Sequence, residues 1–185
     1  MGIFLSSDYH LNHNRPFIYK ARGFECVEDM NEEIIRAHNE VVREQDDVYL
    51  LGDLMLMDDK KGMEYLRRLN GRIHIIIGNH DGDKRLSLYS TLNNVKEIEY
   101  AQRLQFSKFT FFLSHYPTLC ANFGKRNNTI NLCGHLHTTN EWEQWDQFGI
   151  YHIDFDAHRR PVSIEEIVER IEGKIKEGNF PSSLS

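Results

Sequence analysis

Ile73-His74-Ile75-Ile76-Ile77-Gly78-Asn79-His80-Asp81 decides how this chain folds. The run is β-branched and almost continuously apolar, as expected of a strand covered on both faces. It breaks at a glycine into three polar side chains. Strands of an open α/β sheet end in loops that gather at one edge of the sheet, where ligands bind. The same order recurs on either side. Upstream, Ile3–Ser6 runs into Asp8-Tyr9-His10, and Val48-Tyr49-Leu50-Leu51 runs into Gly52-Asp53. Downstream, Phe109–Ser114 runs into His115, and Ile130–Cys133 runs into Gly134-His135-Leu136-His137. The five polar clusters can therefore converge although they span most of the chain.

The segments between these runs set the fold class. Val27 to about Glu44 reads as a helix with Met30, Ile34, Ala37 and Val41 on one face. Lys60 to Leu69 reads as another, stopped by Asn70-Gly71. Repeated strand–loop–helix order means α/β. The second half changes character. Val95–Tyr100, Arg103–Phe106, Phe109–Ser114, Ile130–Cys133 and Gly149–Phe155 read as strands with few helices between them, which predicts a second sheet packed on the first. Ser163 and Glu166 form a capping box for a last helix, with Val162 placed to staple against Ile167. Its apolar stripe is Ile164, Ile167, Val168, Ile171 and Ile175. The expected fold is α/β: two mixed β-sheets packed face to face with helices outside, in one domain over residues 1–185. The tail 178–185 should fray.

Composition narrows the function classes. The 185 residues suffice for one full core. A formal charge of -6 argues against non-specific binding to nucleic acid or anionic membrane. Cys26, Cys120 and Cys133 are an odd, scattered set without a CxxC, which fits a reducing cytoplasm. The first residues turn acidic at Asp8, too soon for a signal peptide, and no apolar run approaches a membrane span.

Carboxylate, amide and imidazole donors without a thiolate suit a divalent transition metal. Two cations close together repel unless an anion sits between them, and Asp53 is the candidate bridge. Asp8 and His10, one residue apart, can reach one metal from a loop that leaves a strand. His135 and His137 have the same spacing, so that pair can divide between two metals. Asn79 offers a neutral oxygen and His115 a further imidazole. A lone HxH is weak, because surface histidines pair by chance; five clusters in this order are not.

The order Asp-x-His, Gly-Asp, Gly-Asn-His-Asp, His, Gly-His-x-His resembles the calcineurin-like metallophosphoesterases, over residues 3 to about 170. Ser7–His13, Arg22-Gly23-Phe24 leading to Glu28-Asp29-Met30-Asn31, Leu69-Asn70-Gly71-Arg72, His152-Ile153-Asp154 and Arg160-Pro161-Val162-Ser163 look like the small single-domain members of bacteria and their phages. The resemblance implies a four-layer αββα sandwich and a hydrolase for phosphomonoesters or phosphodiesters. It implies that Asp8, His10, Asp53 and His137 hold one metal, and that Asp53, Asn79, His115 and His135 hold the second. His80 would protonate the leaving oxygen after in-line attack by a metal-bound hydroxide. Manganese is the expected ion, with iron, zinc, nickel or cobalt as alternatives.

Departures narrow this further. Leu56 and Met57 stand where the family's protein phosphatases carry an Asp-Arg pair, and Asp81 stands where those enzymes carry Glu, which disfavours protein phosphatase activity. That leaves open what orients His80. Candidate substrate contacts are Asn79, His80, His13, Arg22, Lys125 and Arg126. For Arg22 the competing role is locking the long first loop, and for Lys125 and Arg126 a solvated basic turn. Trp142, Trp145 and Phe148 can stack a ring at the rim or, more simply, bury a loop. Two rivals remain: a nuclease, if Arg22, Lys84, Arg85, Lys125 and Arg126 line a basic groove, and a non-catalytic scaffold.

Overall fold

The chain alternates strands and helices through its first half and then switches to strands. A computed structural model describes residues 1–120 and 129–178. β1 (Ile3–Ser6) leads through a single turn, α1 (Pro16–Tyr19), and the longer α2 (Val27–Val41) to β2 (Asp47–Leu50). Then come α3 (Asp59–Leu66), β3 (Arg72–Ile76), α4 (Asp83–Tyr89) and β4 (Val95–Glu99). β5 (Ala101–Phe106), β6 (Phe109–Ser114), β7 (Thr129–Cys133), α5 (Trp145–Phe148) and β8 (Ile150–His152) follow. The described part closes with α6 (Phe155–His158), β9 (Val162–Ser163) and α7 (Ile164–Lys176).

Two mixed sheets result, as the sequence predicts. The first has the order β4-β3-β2-β1-β9, with β1 to β4 parallel and β9 antiparallel to β1. The second has the order β5-β6-β7-β8, with β5 antiparallel and the rest parallel. Period-two alternation sorts the side chains of the first sheet. Val48, Leu50, Ile73 and Ile75 join Met30 and Ile34 of α2 and Met63 and Leu66 of α3 in one core. Leu5, Tyr49 and Ile76 join Phe111 and Leu113 of β6 and Ile130 and Leu132 of β7 in the other. The sheets therefore meet through Leu5, Tyr49 and Ile76.

Three expectations need correction. Val95–Glu99 belongs to the first sheet, where Ile98 pairs with Ile75, and not to the second. The α4 segment, which the sequence reading passed over, supplies the crossover that a parallel return to β3 requires. Helix α2 ends at Val41 rather than near Glu44, because Val42 turns to extended backbone and is fully buried in the core. The cap of α7 is half the expected box. Ser163 Oγ accepts from the Glu166 N–H at 3.2 Å, while the Glu166 carboxylate binds Arg160 and Arg170 instead. Ile164, Ile167 and Ile171 are buried as expected, and Val168 and Ile175 pack beside them. Among the described residues no helix is long and apolar enough to cross a membrane.

Candidate metal centre

The loops that follow the parallel strands are laced together before they reach any ligand. Asp8 N–H donates to Gly52 O at 3.1 Å, His10 N–H to Asp53 O at 3.0 Å, and Leu11 N–H to Leu54 O at 2.9 Å. The loop after β1 is thus zipped onto the loop after β2. Asp8, His10, Asp53, His135 and His137 all take left-handed backbone, with φ between 51° and 74°. That region costs a non-glycine residue roughly 1–2 kcal/mol. Such strain gathers where a surrounding structure holds it for function. Here it turns side chains from separate loops toward one point.

Their donor atoms converge without bonding one another. His10 Nε2 stands 3.7 Å from Asp8 Oδ1 and 3.6 Å from Asp53 Oδ2. His137 Nε2 is 3.7 Å from Asp8 Oδ1, and His115 Nε2 is 3.6 Å from Asp53 Oδ2. These spacings exceed a hydrogen bond. Two donors each about 2.1 Å from one ion stand roughly 3–3.5 Å apart, so they suit a shared cation. Among the described residues Asp8 Oδ1 and His10 Nε2, both buried, have no hydrogen-bond partner, although an unmet buried polar atom is costly. Two three-residue groups among the described residues are close enough to hold an ion, Asp8–His10–His137 and Asp8–Asp53–His115, and Asp8 is common to both.

The imidazoles are also aimed. His115 Nδ1 lies 2.8 Å from Leu51 O and His137 Nδ1 lies 3.0 Å from Asp156 Oδ2. Each Nδ1 therefore carries a proton outward and leaves Nε2 facing the cluster, the arrangement by which protein groups orient metal-binding histidines. His115 Nε2 then meets Asn79 Oδ1 at 2.9 Å, two acceptors that a cation between them would reconcile. Burial works to raise the Asp8 carboxyl, but the facing imidazoles of His10, His115 and His137 outweigh it and hold it down at about 2. Burial likewise drives the His10 ring down to about 4. At neutral pH the pair is an anion beside a neutral imidazole, the protonation state metal ligation needs. The donor set and its two unmet atoms fit divalent cations.

The sequence matches the family model of the calcineurin-like phosphoesterase superfamily domain over residues 1–153. The chain belongs to that superfamily. It is 32% identical over 185 residues to an uncharacterized protein of Methanocaldococcus jannaschii, covering 94% of this chain and 93% of the relative. It is 24% identical over 194 residues to the Gene 66 protein of Mycobacterium phage L5, covering 90% of this chain and 92% of that one. In fold it resembles a protein of unknown function, AQ665, from Aquifex aeolicus, with a TM-score of 0.70, 23% identity, and 91% and 98% of the two chains covered. It also resembles Yfce, a phosphoesterase from E. coli, with a TM-score of 0.50, 17% identity, and 83% and 78% covered.

Around this candidate centre lies a shell of groups that the sequence reading largely missed. Asp81 turns away from its neighbour His80. Its carboxylate accepts the N–H of Asp53 at 2.8 Å, the N–H of Gly78 at 3.0 Å and the hydroxyl of Tyr89 at 2.8 Å. It thereby ties the loops after β2 and β3 together and anchors them to α4. Asp156 accepts from His137 and from the buried Arg22, whose remaining donors reach Asp8 O and Tyr9 O at 2.6 and 2.8 Å. Asp154, fully buried, accepts the His137 N–H at 2.8 Å. The sequence signals for this pair were the His152-Ile153-Asp154 stretch and two carboxylates one residue apart just after an apolar run.

The remaining candidates sort by position. His80 is exposed and its Nε2 stands 3.8 Å from Asp53 Oδ2. Asn79 is exposed beside it. His135 gives its N–H to Asp8 Oδ2 at 2.8 Å and packs its ring on His115 and Tyr116, but belongs to neither close donor group. His13 stacks on His10, with Nδ1 atoms 3.1 Å apart. Arg22 spends its guanidinium inside the protein, so as a substrate contact it is corrected to a loop lock. Lys125 and Arg126 lie outside the described residues. Trp145 is buried; Trp142 is half-buried, packs on Trp145 and Tyr151, and carries Lys174 Nζ 5.3 Å from its ring centroid.

Proposed function

We propose that the chain is a binuclear metal-dependent phosphoesterase that hydrolyses small phosphodiesters or phosphomonoesters, nucleotide-related ones among them. The observation that carries this reading is the set of Nε2 and carboxylate atoms facing one another at 3.6–3.7 Å with two of them buried and unmet. Asp8, His10, Asp53 and His137 would hold one ion, and Asp53, Asn79, His115 and His135 the other, with manganese first among the candidates. Two divalent cations so held supply a water acidified for attack and positive charge for the phosphoryl oxygens. Asp53, common to both sets, would offset the repulsion between those cations. His80 stands at the exposed edge of the cluster, where an imidazolium can give its proton to the departing oxygen. Asn79, next to it and exposed, can donate its amide to a phosphoryl oxygen.

A small ester suits the openness of this edge better than a nucleic acid. A nuclease needs a basic groove, yet Arg22 is buried and Lys84 and Arg85 are both paired with Asp59. The scaffold reading has to explain why every liganding position and His80 are retained. The composition supports a cytoplasmic location. The deciding experiment is hydrolysis of bis-p-nitrophenyl phosphate beside p-nitrophenyl phosphate. The protein is stripped of metal and then given Mn, Zn, Ni, Fe, Co or Mg in turn, with Asp53→Asn as control. Turnover restored by metal and absent in the variant is expected. No turnover with any metal, despite two bound ions per chain, would move the reading to the scaffold.

A further inference from the structure

His80 makes its hydrogen bonds through its peptide groups, while among the described residues its ring has only an edge-on contact with His10, the centroids 5.7 Å apart. Its Nε2 reaches Asp53 Oδ2 only at 3.8 Å, beyond hydrogen-bond range. Its N–H donates to Asp53 Oδ1 at 2.8 Å, and its carbonyl accepts from Arg85 Nη1 at 2.5 Å. Arg85 is itself fixed: Nε donates to Asp59 Oδ1 at 2.9 Å, and the other oxygen of Asp59 pairs with Lys84 at 2.6 Å. The Arg85 and Asp59 side chains are only 18% and 15% exposed, so this contact is better shielded than an ordinary surface pair. Asp59 opens α3, where Asp58 caps the helix by accepting the N–H groups of Lys60 and Lys61. Arg85 lies on α4. The clamp therefore joins α3 and α4 through Asp59 and holds the backbone of His80 to them. It also lines, with Asn79 and His80, a concavity of about 430 Å³ open to solvent.

We propose that Arg85, steered by Asp59, is the positioning residue that sets the His80 imidazole for proton donation. The inference rests on the proposed phosphoesterase activity and on His80 as its acid. A guanidinium can reach Asp59 and the His80 carbonyl at once from a rigid planar fork, whereas an ammonium is a single point charge on a flexible stem. Lysine at position 85 should hold one partner and lose the set angle. Asp81, the sequence neighbour of His80, is occupied elsewhere, which leaves the peptide clamp to do the orienting.

The experiment compares diphenyl phosphate, whose leaving oxygen needs a proton, with bis-p-nitrophenyl phosphate, whose leaving group departs readily as the anion. In Arg85→Ala, kcat on the diphenyl ester should fall ~10-fold or more, and on the nitrophenyl ester by less than ~3-fold, with KM and bound metal unchanged. Arg85→Lys should recover part of the loss. Arg85→Ala added to His80→Ala should cost nothing further. Independently of turnover, the backbone amide resonance of His80 in the metal-free protein should move in Arg85→Ala and return part of the way in Arg85→Lys. Equal losses on the two esters, additivity with His80→Ala, or an unmoved amide would each overturn the proposal. If the wild-type protein hydrolyses neither ester, the phosphoesterase reading fails, and the amide still decides whether Arg85 positions His80.

Discussion

Asp156 takes the Nδ1 proton of His137 at 3.0 Å while the same carboxylate pairs with Arg22 at 2.8 Å. One side chain thus aims an imidazole and neutralises a buried guanidinium. Burial pushes the Asp156 carboxyl up, but the bonds from His137 and Arg22 overcome this and hold it well below the usual range. Asp156→Ala should weaken Mn binding by about 10–100-fold, as removal of an orienting partner does elsewhere. Titration calorimetry on metal-stripped protein measures this. The variant should also lose about 3–5 kcal/mol of stability in urea, because Arg22 is left buried and unpaired. Unchanged metal affinity would remove Asp156 from the centre.

Gly134 and Gly173 make opposite predictions for the same substitution. A Cβ on Gly134 would collide with Ser7 Oγ and Asp8 Oδ2, the latter of which also accepts from His135 N–H. Gly134→Ala should therefore displace Asp8, cost about 1–3 kcal/mol and weaken metal binding. A Cβ on Gly173, inside α7, meets nothing within 4 Å. Gly173→Ala should stabilise the protein by about 0.8–1 kcal/mol with no effect on metal. Urea unfolding and metal titration of the two variants side by side check the contrast. A harmless Gly134→Ala would mean that the Asp8 loop is looser than its packing implies.

His38 gives stability a pH dependence unrelated to the metals. Its ring is buried between the Tyr9 hydroxyl at 2.8 Å and Asn70 O at 2.9 Å. Burial lowers it from 6.5 to about 4, against an opposing pull from the Asn70 carbonyl. The unfolded chain therefore binds this proton at a higher pH than the folded one does. The contribution is complete above pH 6.5 and is lost as pH falls toward 4, to the extent of about 3 kcal/mol. Urea midpoints of the metal-free protein at pH 7.5 and 5 should separate more for wild type than for His38→Gln. An equal separation would show that His38 titrates normally.

The strand ends and the candidate donor clusters were legible because each is a local pattern. An apolar run followed by glycine and short polar groups needs no knowledge of distant chain. The capping residue of α7 and its buried stripe are local in the same sense. What failed to show were relationships across long separations. The assignment of Val95–Glu99 to the first sheet depends on pairing with β3 through an unread helix. The choice for Arg22 between a substrate contact and a loop lock could not be made from sequence, because Asp156, its partner, stands 134 residues further along. Trp145 is buried, the simpler of its two readings, but only the packed strands around it show where it is buried.

The sequence by itself determined the fold class, the membership in a family and the donor types, since composition, periodicity and motif order carry these. The tertiary structure alone decided which groups hold those donors still: Asp81 across two loops, Asp156 on His137, Arg85 on the His80 carbonyl. The physical reason is that a hydrogen bond is fixed by distances of about 3 Å, and such distances between remote residues exist only once both sheets have packed and brought their loops to one edge.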